Sequence, residues 1–205
     1  MTTEMEEKNL SGEESMQLIT KMIGQAKNQY YQSGLGALLW GFSNFICFTL
    51  AYFDATSTWF KLPFNPFYLM FITFILQFYF DGKERKYKRT VTFKDEAHKY
   101  VWLAFGISVL ILTIAGGIAD IGYIVLPLLL LLFGLPTFIS GCINKFPPFI
   151  IGGIVCWILC IVAFFYQSYF TYLLVAAGAG VAWIIPGFIL RARFYKNIAN
   201  KNNGF

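Results

Sequence analysis

Six apolar runs, separated by short polar segments, dominate this sequence of 205 residues. The runs cover residues 34–53, 66–80, 100–119, 123–143, 149–166 and 169–190. A helix of about 20 mainly apolar residues is long enough to cross the hydrocarbon of a bilayer. The runs lack the apolar–polar alternation that is typical of membrane β-strands. We therefore predict an all-α polytopic membrane protein whose six transmembrane helices form three hairpins, although the second run is short for a full crossing.

The composition excludes an ordinary soluble domain. Hydrophobic residues make up 57% of the chain, aromatic residues 20% and charged residues only 13%. Soluble domains carry about 25% charged and about 45–50% apolar residues. This excess of apolar side chains could not be buried inside a single soluble core of this length.

The placement of the basic residues predicts the orientation. If the N-terminus is cytosolic, all but one of the 16 lysines and arginines fall on the cytosolic side, and the exception is Lys61. Lysine and arginine near helix ends favour the cytosolic side. We predict that both termini are cytosolic, with a tail and amphipathic helix at 1–33, a transmembrane domain at 34–190 and a basic tail at 191–205.

A basic segment at 81–99 joins the second predicted helix to the third. We expect it to act as a topological anchor that touches anionic lipid headgroups at the cytosolic face. Docking of a protein or a nucleotide is the alternative, and nucleic acid is disfavoured because four acidic residues dilute the positive charge. The only histidine, His98, is expected to be a solvated loop residue, with proton sensing as the alternative.

The segment before the first run has a different pattern. Ser11 and Glu14 match a capping box, which satisfies free amides at a helix start. Apolar residues then recur at helical spacing from Leu18 to Tyr30. This pattern predicts an amphipathic helix on the cytosolic surface, which either packs on its own bundle and the headgroups or docks on a partner or a gate.

Ionisable and amide side chains are few in and beside the apolar runs. Asn44 and Gln77 lie within the first two helices, Asn144 ends the fourth helix, and Asp120 lies in a turn at the outer surface. Buried amides in membranes commonly bridge helices through hydrogen bonds. The same four residues are the candidates to line a polar pathway, if the bundle contains one.

Three prolines are candidate helix breaks. Pro127 and Pro136 lie in the fourth run, and Pro186 lies in the sixth. Transporters place their sites at broken helices, whereas prolines in membrane helices also occur for packing reasons alone. We predict that these residues interrupt helices four and six.

Motifs of catalysis and metal binding are missing from the sequence. It contains no phosphate-binding loop, no HExxH and no GxSxG. The four cysteines are expected to be small apolar fillers of the membrane-spanning helices: Cys47, Cys142, Cys156 and Cys160. We predict no catalytic set, no metal and no cofactor, and an enzyme would have to depend on Asp120 or His98.

Three stretches carry a resemblance to known proteins. They are LSGEESMQLITKMIGQAK at 10–27, GLPTFISGCINKFPPFIIGGIVCW at 134–157 and WIIPGFILR at 183–191. In these stretches the chain resembles small six-helix integral membrane proteins of bacteria that share an N-terminal LSxEES amphipathic segment. The resemblance implies a location in the bacterial inner membrane and supplies no activity or site residues.

These observations favour a non-enzymatic membrane protein that acts through a protein partner, as a regulator or an assembly subunit. The alternative is a small transporter or channel for an ion or a small solute. In that alternative Asn44 and Gln77 line the path, and Pro136 and Pro186 provide the mobile elements.

Overall fold

The computed structural model describes most of the second of two compact units, Met1–Gln32 and Ser33–Phe205. The described residues are 16, 34–85, 93–119, 121–166 and 168–202. The predicted amphipathic helix and Asp120 therefore lie outside the described residues. The predicted basic loop 81–99 is helical at both of its ends, 81–85 and 93–99. The centre of that loop, 86–92, lies outside the described residues.

All regular structure in the described residues is helical. The helices are α1 (Leu35–Thr56), α2 (Tyr68–Arg85), α3 (Phe93–Ile118), α4 (Gly122–Asn144), α5 (Pro147–Phe165), α6 (Phe170–Ala179) and α7 (Ile185–Asn202). A π-helical segment, Gly180–Ile184, joins α6 to α7, so that these elements form one continuous helix.

Five helices in the described part of the chain are long and apolar enough to cross a membrane. They are Leu35–Thr56, Glu96–Ile118, Ile124–Asn144, Pro147–Phe165 and Phe170–Lys196. The second predicted run forms α2, whose apolar stretch, Tyr68–Phe80, is shorter than these. The chain is therefore a multi-pass, all-helical membrane protein, and α2 differs from the five long spans.

The helices α1 and α2 run antiparallel. The thiol of Cys47 donates to the carbonyl of Pro66 at 3.2 Å near one end of α1. Near the other end, a Cβ added at Gly36 would lie 3.3 Å from Nε2 of Gln77. α2 therefore returns along the whole length of α1.

The pair α3 and α4 is antiparallel in the same way. The rings of Phe105 and Phe133 are 6.0 Å apart in the middle of the pair. Nearer one end, Nδ1 of His98 and Oγ of Ser140 are 3.2 Å apart. This contact places the start of α3 beside the last turn of α4.

One end of the bundle collects most of the described basic side chains. Gly34, with φ +72°, starts α1 so close to α7 that a Cβ there would lie 2.6 Å from the carbonyl oxygen of Gly187. The guanidinium of Arg193 on α7 lies over the Phe146 ring in the α4–α5 turn. We call this the cationic end, and its basic residues are Lys99, Lys145, Arg191, Arg193 and Lys196. Lys61 lies at the opposite end, where it donates to the carbonyl of Asp54.

The core forms between α1, α4, α5, α6, the π segment and α7, and its largest fully buried side chains include Trp183, Phe48 and Leu130. α2 and α3 flank this packed core. Among the described elements, the backbone of α2 packs only on α1 and that of α3 only on α4. Within the apolar window of α3 only 6% of residues are buried, against 33–50% in the other four long spans.

Candidate functional site

A cluster of buried and half-buried polar and aromatic side chains lies between the π segment, α3 and α4. We call it the polar–aromatic cluster, and its members are His98, Trp102, Phe105, Phe133, Thr137, Ser140 and Trp183. Three elements therefore contribute to it: α3, α4 and the π segment.

Pro186 accounts for the π segment. A proline inside a helix has no N–H to donate, and its ring clashes with the carbonyl four residues earlier, which here belongs to Ala182. The wider turn relieves this clash, and the N–H of Ile185 bonds to the carbonyl of Gly180, five residues earlier. Such π-bulges are frequent at functional sites.

Of the three predicted helix breaks, only Pro186 adjoins a departure from α-helical geometry. α4 is continuous from Gly122 to Asn144 and contains Pro127 and Pro136 in its interior. Both prolines are buried in the bundle, as is Pro186. Packing by neighbouring helices allows α4 to tolerate the lost backbone bonds.

Trp183 lies at the centre of the cluster and is only 1% exposed. Its Nε1 donates to Oγ1 of Thr137 at 2.9 Å, and the Thr137 hydroxyl donates to the carbonyl of Phe133 at 2.7 Å. The indole ring lies 4.6 Å from the ring of Phe133. The indole N–H, which would be costly to leave unsatisfied away from water, therefore has a partner on another helix.

His98 lies at the cationic end of the cluster. The sequence-based expectation of a solvated loop residue is wrong, because α3 already begins at Phe93 and places His98 on the side of the helix that meets α4. There His98 is half-buried, bonds to Ser140 and has its ring 5.9 Å from that of Trp102.

A serine and a histidine in hydrogen-bond contact are also the elements of an activated nucleophile. Here the serine, Ser140, is 1% exposed and covered by α3, so a substrate would have no access to its hydroxyl. The contact instead ties α3 to α4. Within the described ranges, no three His, Cys, Asp or Glu side chains lie close enough to hold a metal ion.

The carbonyls that Pro186 deprives of a donor are covered by α5. A Cβ added at Gly152 would lie 2.8 Å from Cα of Ala182 and 3.2 Å from the carbonyl oxygen of Val181. Glycine is what allows the α5 backbone to approach the π segment this closely. A broken helix that binds an ion offers its carbonyls to a cavity, whereas here the α5 backbone occupies that position.

Asn44 and Gln77, the predicted pathway residues, do not lie together. Asn44 is 3% exposed and donates through Nδ2 to the carbonyl of Trp40 in its own helix at 2.8 Å. Gln77 lies beside Gly36, about two helical turns along α1 from Asn44. The two amides therefore do not form one continuous polar surface.

Asn144, the remaining described pathway candidate, ends α4 one turn beyond Ser140 and on the same face. Its Nδ2 and Oδ1 are both buried and have no hydrogen-bond partner among the described residues. The buried Nε1 of Trp102 also has none there. Unsatisfied polar atoms therefore occur at and near the cationic end of the bundle.

Sequence reasoning missed Thr137, Ser140 and Trp183. A signal for the first two was present, because Thr137, Ser140 and Asn144 recur at spacings of three and four along an otherwise apolar run. Trp183 carries no such signal, since its partner lies 46 residues away in the chain.

No protein-family model, curated protein or solved structure matches this chain. The packing of its own helices is therefore the basis for any functional proposal.

Proposed function

We propose that this chain is a non-enzymatic regulator or assembly subunit that binds a partner membrane protein through α3, inside the bilayer. The observation that carries the proposal is the exposure of this helix. Of the residues in its 96–118 span, only Gly116 is buried by the rest of the bundle. A transmembrane helix of the partner would cover the exposed face.

The exposed face of α3 is suited to a helix. Gly106, Leu110, Thr113 and Gly117 follow at spacings of four, three and four, so they share one face, which we call the α3 stripe. A Cβ added at Gly106 or Gly117 would meet nothing within 4 Å. Small residues on one face allow two helix backbones to approach closely in the membrane.

Lipid alone does not account for the α3 stripe. A glycine inside a helix lowers helix stability by about 1 kcal/mol relative to alanine. Lipid chains pack against large apolar side chains as well as against glycine, so contact with lipid gives no reason for this cost. Glycines are favoured where a neighbouring backbone comes close, as Gly152 illustrates in the packed core. Gly106 and Gly117 therefore favour a helix as the occupant.

The proposed topology has six crossings in three hairpins, with both termini in the cytosol of a bacterium and the bundle in its inner membrane. α2 would be the short crossing. Its 18 residues span about 27 Å at 1.5 Å per residue, which is close to the thickness of the bilayer hydrocarbon. The amphipathic segment and the basic loop would offer further contacts to the partner and to anionic lipids.

A small transporter or channel is the alternative function, and the π segment is the observation in its favour. The separation of Asn44 from Gln77 and the α5 backbone beside the π-segment carbonyls support the partner proposal instead. Flux of ions or small solutes into liposomes, abolished by Asn44→Leu or Gln77→Leu, would establish the transporter.

Photo-crosslinking in native membranes tests the partner proposal. A crosslinking residue at Leu110, on the α3 stripe, should form an adduct with an integral membrane protein, and Gly106→Ile or Gly117→Ile should abolish that adduct. Leu112 is the matched control, because its side chain packs against the core instead.

Three outcomes would contradict the proposal. They are adducts with lipid only, equal protein adducts from both positions, and an adduct that survives both glycine substitutions. An adduct with a second copy of this chain would replace the partner by a homo-oligomer.

A further inference from the structure

An apolar groove runs along α1 at the surface of the bundle, between α2 and α7. Phe80 of α2 lines one side of it, and on the other side the ring of Phe42 on α1 packs edge-on against Phe188 of α7 at 6.0 Å. The volume of the groove is about 280 Å³. We call it the α1 groove, and its lining residues include Leu35, Leu39, Phe42, Ser43, Ile46 and Phe80.

The α1 groove covers the depth of one leaflet. Leu35 is the first residue of α1 and lies at the cationic end, whereas Ile46 lies near the middle of the helix. At 1.5 Å per residue these two positions are about 16 Å apart along the helix axis. The hydrocarbon of a bilayer is about 30 Å thick, so one leaflet contributes about 15 Å. The groove therefore begins at the headgroups on the cationic side and ends close to the middle of the membrane.

The lining and the size of the groove favour a hydrocarbon chain as its occupant. Among the lining residues only Ser43 is polar, and its hydroxyl accepts from that of Thr73. A polar ligand would therefore lose hydrogen bonds with water here and gain few in return. One turn of a helix with its side chains fills about 400–600 Å³, from its pitch and diameter, which is more than the groove holds. A single acyl chain is much narrower than a helix.

Arg191 lies at the end of the groove on the cationic side. A Cβ added at Gly34, which directly precedes Leu35, would lie 3.2 Å from the backbone nitrogen of Arg191. Phe188, which packs on Phe42, is three residues before Arg191, so both share one face of α7. The face of α7 that meets the groove therefore carries a guanidinium group at the level of the headgroups.

The guanidinium of Arg191 is held by Tyr195. Nη2 of Arg191 donates to the phenol oxygen at 3.0 Å, and Cζ lies 5.3 Å from the centre of the ring. A guanidinium has five N–H donors in a planar fork that matches phosphate, and a side chain that is already held loses less entropy on binding. A fixed positive charge beside an apolar groove is complementary to a phosphate that is attached to an acyl chain.

We propose that the α1 groove and Arg191 bind one anionic phospholipid from the leaflet on the cationic side. One acyl chain lies in the groove from Leu35 to Ile46, and the phosphate accepts hydrogen bonds from the guanidinium of Arg191. The site is formed by α1, α2 and α7, so it does not depend on the partner proposed for α3.

Photolabelling of the purified protein tests the site. The protein is reconstituted in phosphatidylcholine vesicles that contain a trace of phosphatidylglycerol with a diazirine on its acyl chain. After irradiation, mass spectrometry of peptides should find the adducts concentrated at 35–46, with few at 106–118 of α3, which is also exposed. Even labelling of both segments would show ordinary contact with bulk lipid and overturn the proposal.

A variant that fills the groove tests the position of the acyl chain. Leu39→Trp places an indole ring in the groove and should remove most of the label from 35–46. Ile139→Trp is the matched control, because Ile139 is exposed and lies about as far from the cationic end of α4 as Leu39 does from that of α1. It should leave the label unchanged. Thermal melting checks the fold of both variants, and a label that survives Leu39→Trp would overturn the assignment of the acyl chain to the groove.

The role of Arg191 has a separate test, in a variant that leaves the groove intact. In the unaltered protein, phosphatidylglycerol should label 35–46 more than phosphatidylcholine with the same diazirine chain, and Arg191→Gln should lower that ratio about fivefold. Arg193→Gln removes the same charge from α7, where the guanidinium lies over the Phe146 ring instead, and should retain most of the ratio. Equal losses in the two variants would indicate diffuse attraction and overturn the role of Arg191. Equal labelling by both lipids in the unaltered protein would overturn the preference for an anionic lipid.

Discussion

Gly152 and Gly106 are the same residue type in two opposite environments. A Cβ at Gly152 would lie 2.8 Å from Cα of Ala182 in the packed core, whereas a Cβ at Gly106 on α3 would meet nothing within 4 Å. In the core, glycine brings two backbones together within one chain. On α3 the same small surface is left open, and the proposed partner helix would cover it.

The flanking helices α2 and α3 are also attached less tightly than the core helices are packed. A hydrogen bond between the side chains of His98 and Ser140 links α3 to α4, and the hydroxyl of Thr73 donates to that of Ser43 and so links α2 to α1. The core helices are held by hydrogen bonds of this kind and, in addition, their backbones approach closely at glycines. The flanking helices should therefore be the parts that separate most easily.

The largest expected difference in the free energy of unfolding is between leucine substitutions at the two glycines. Gly152→Leu should destabilise the protein by about 3 kcal/mol or more, because the backbone of the π segment cannot move aside. Gly106→Leu should change the free energy of unfolding by less than about 0.5 kcal/mol. Unfolding in mixed detergent micelles measures both, and equal destabilisation would remove the distinction between core and flank.

A matched pair of threonines sharpens the comparison. Thr137→Val leaves the buried indole N–H of Trp183 without its acceptor and should cost about 1–2 kcal/mol. Thr113→Val, on the α3 stripe, removes only a bond to the carbonyl of Val109 in its own helix and should be nearly neutral. The same unfolding assay applies, and a neutral Thr137→Val would show that the indole contact contributes nothing.

The link that holds α3 should have a smaller and more local effect. Ser140→Ala removes the contact with His98 and should cost about 0.6 kcal/mol, the average for hydrogen bonds between membrane helices. Hydrogen exchange followed by mass spectrometry should show faster exchange in α3 and unchanged exchange in α6. Faster exchange in both helices would mean that α3 belongs to the core.

The smallest effect is expected at Lys145. Lys145→Gly relieves a left-handed backbone that costs about 1–2 kcal/mol, less about 0.5–1 kcal/mol for the entropy of glycine, so it should stabilise the protein by about 0.5 kcal/mol. Lys196→Gly, within α7, should instead destabilise it by up to about 1 kcal/mol. Thermal melting distinguishes the two, and a change of the same sign would contradict the αL assignment.

The sequence was sufficient to predict an all-helical membrane protein, because apolar runs of this length leave few alternatives in a bilayer. The runs at 34–53 and 149–166 correspond closely to α1 and α5. The run at 66–80 was less informative, since Tyr68–Phe80 alone is too short for a standard span and the helix extends to Arg85 through charged residues. Hydrophobicity alone does not say whether such a helix crosses.

The buried contacts could not be predicted in the same way. His98 looked solvated because it lies among lysines and acids, yet its partner Ser140 is 42 residues away on another helix. The proline at 186 did mark a local change in the helix, while those at 127 and 136 did not, and only the packing around each proline distinguishes these cases. Contacts between distant residues leave no periodic pattern in one sequence.

The central claim is that α2 crosses the membrane with α1 and that the cationic end faces the cytosol. Single cysteines at Trp59 and at Lys145 test it, in a background where exposed Cys142 is replaced by alanine and the other three cysteines are buried. With a membrane-impermeant thiol reagent on intact cells, Trp59→Cys should react at once and Lys145→Cys only after permeabilisation. If α2 did not cross, positions 59 and 145 would lie on the same side, and ready labelling of both in intact cells would contradict the account.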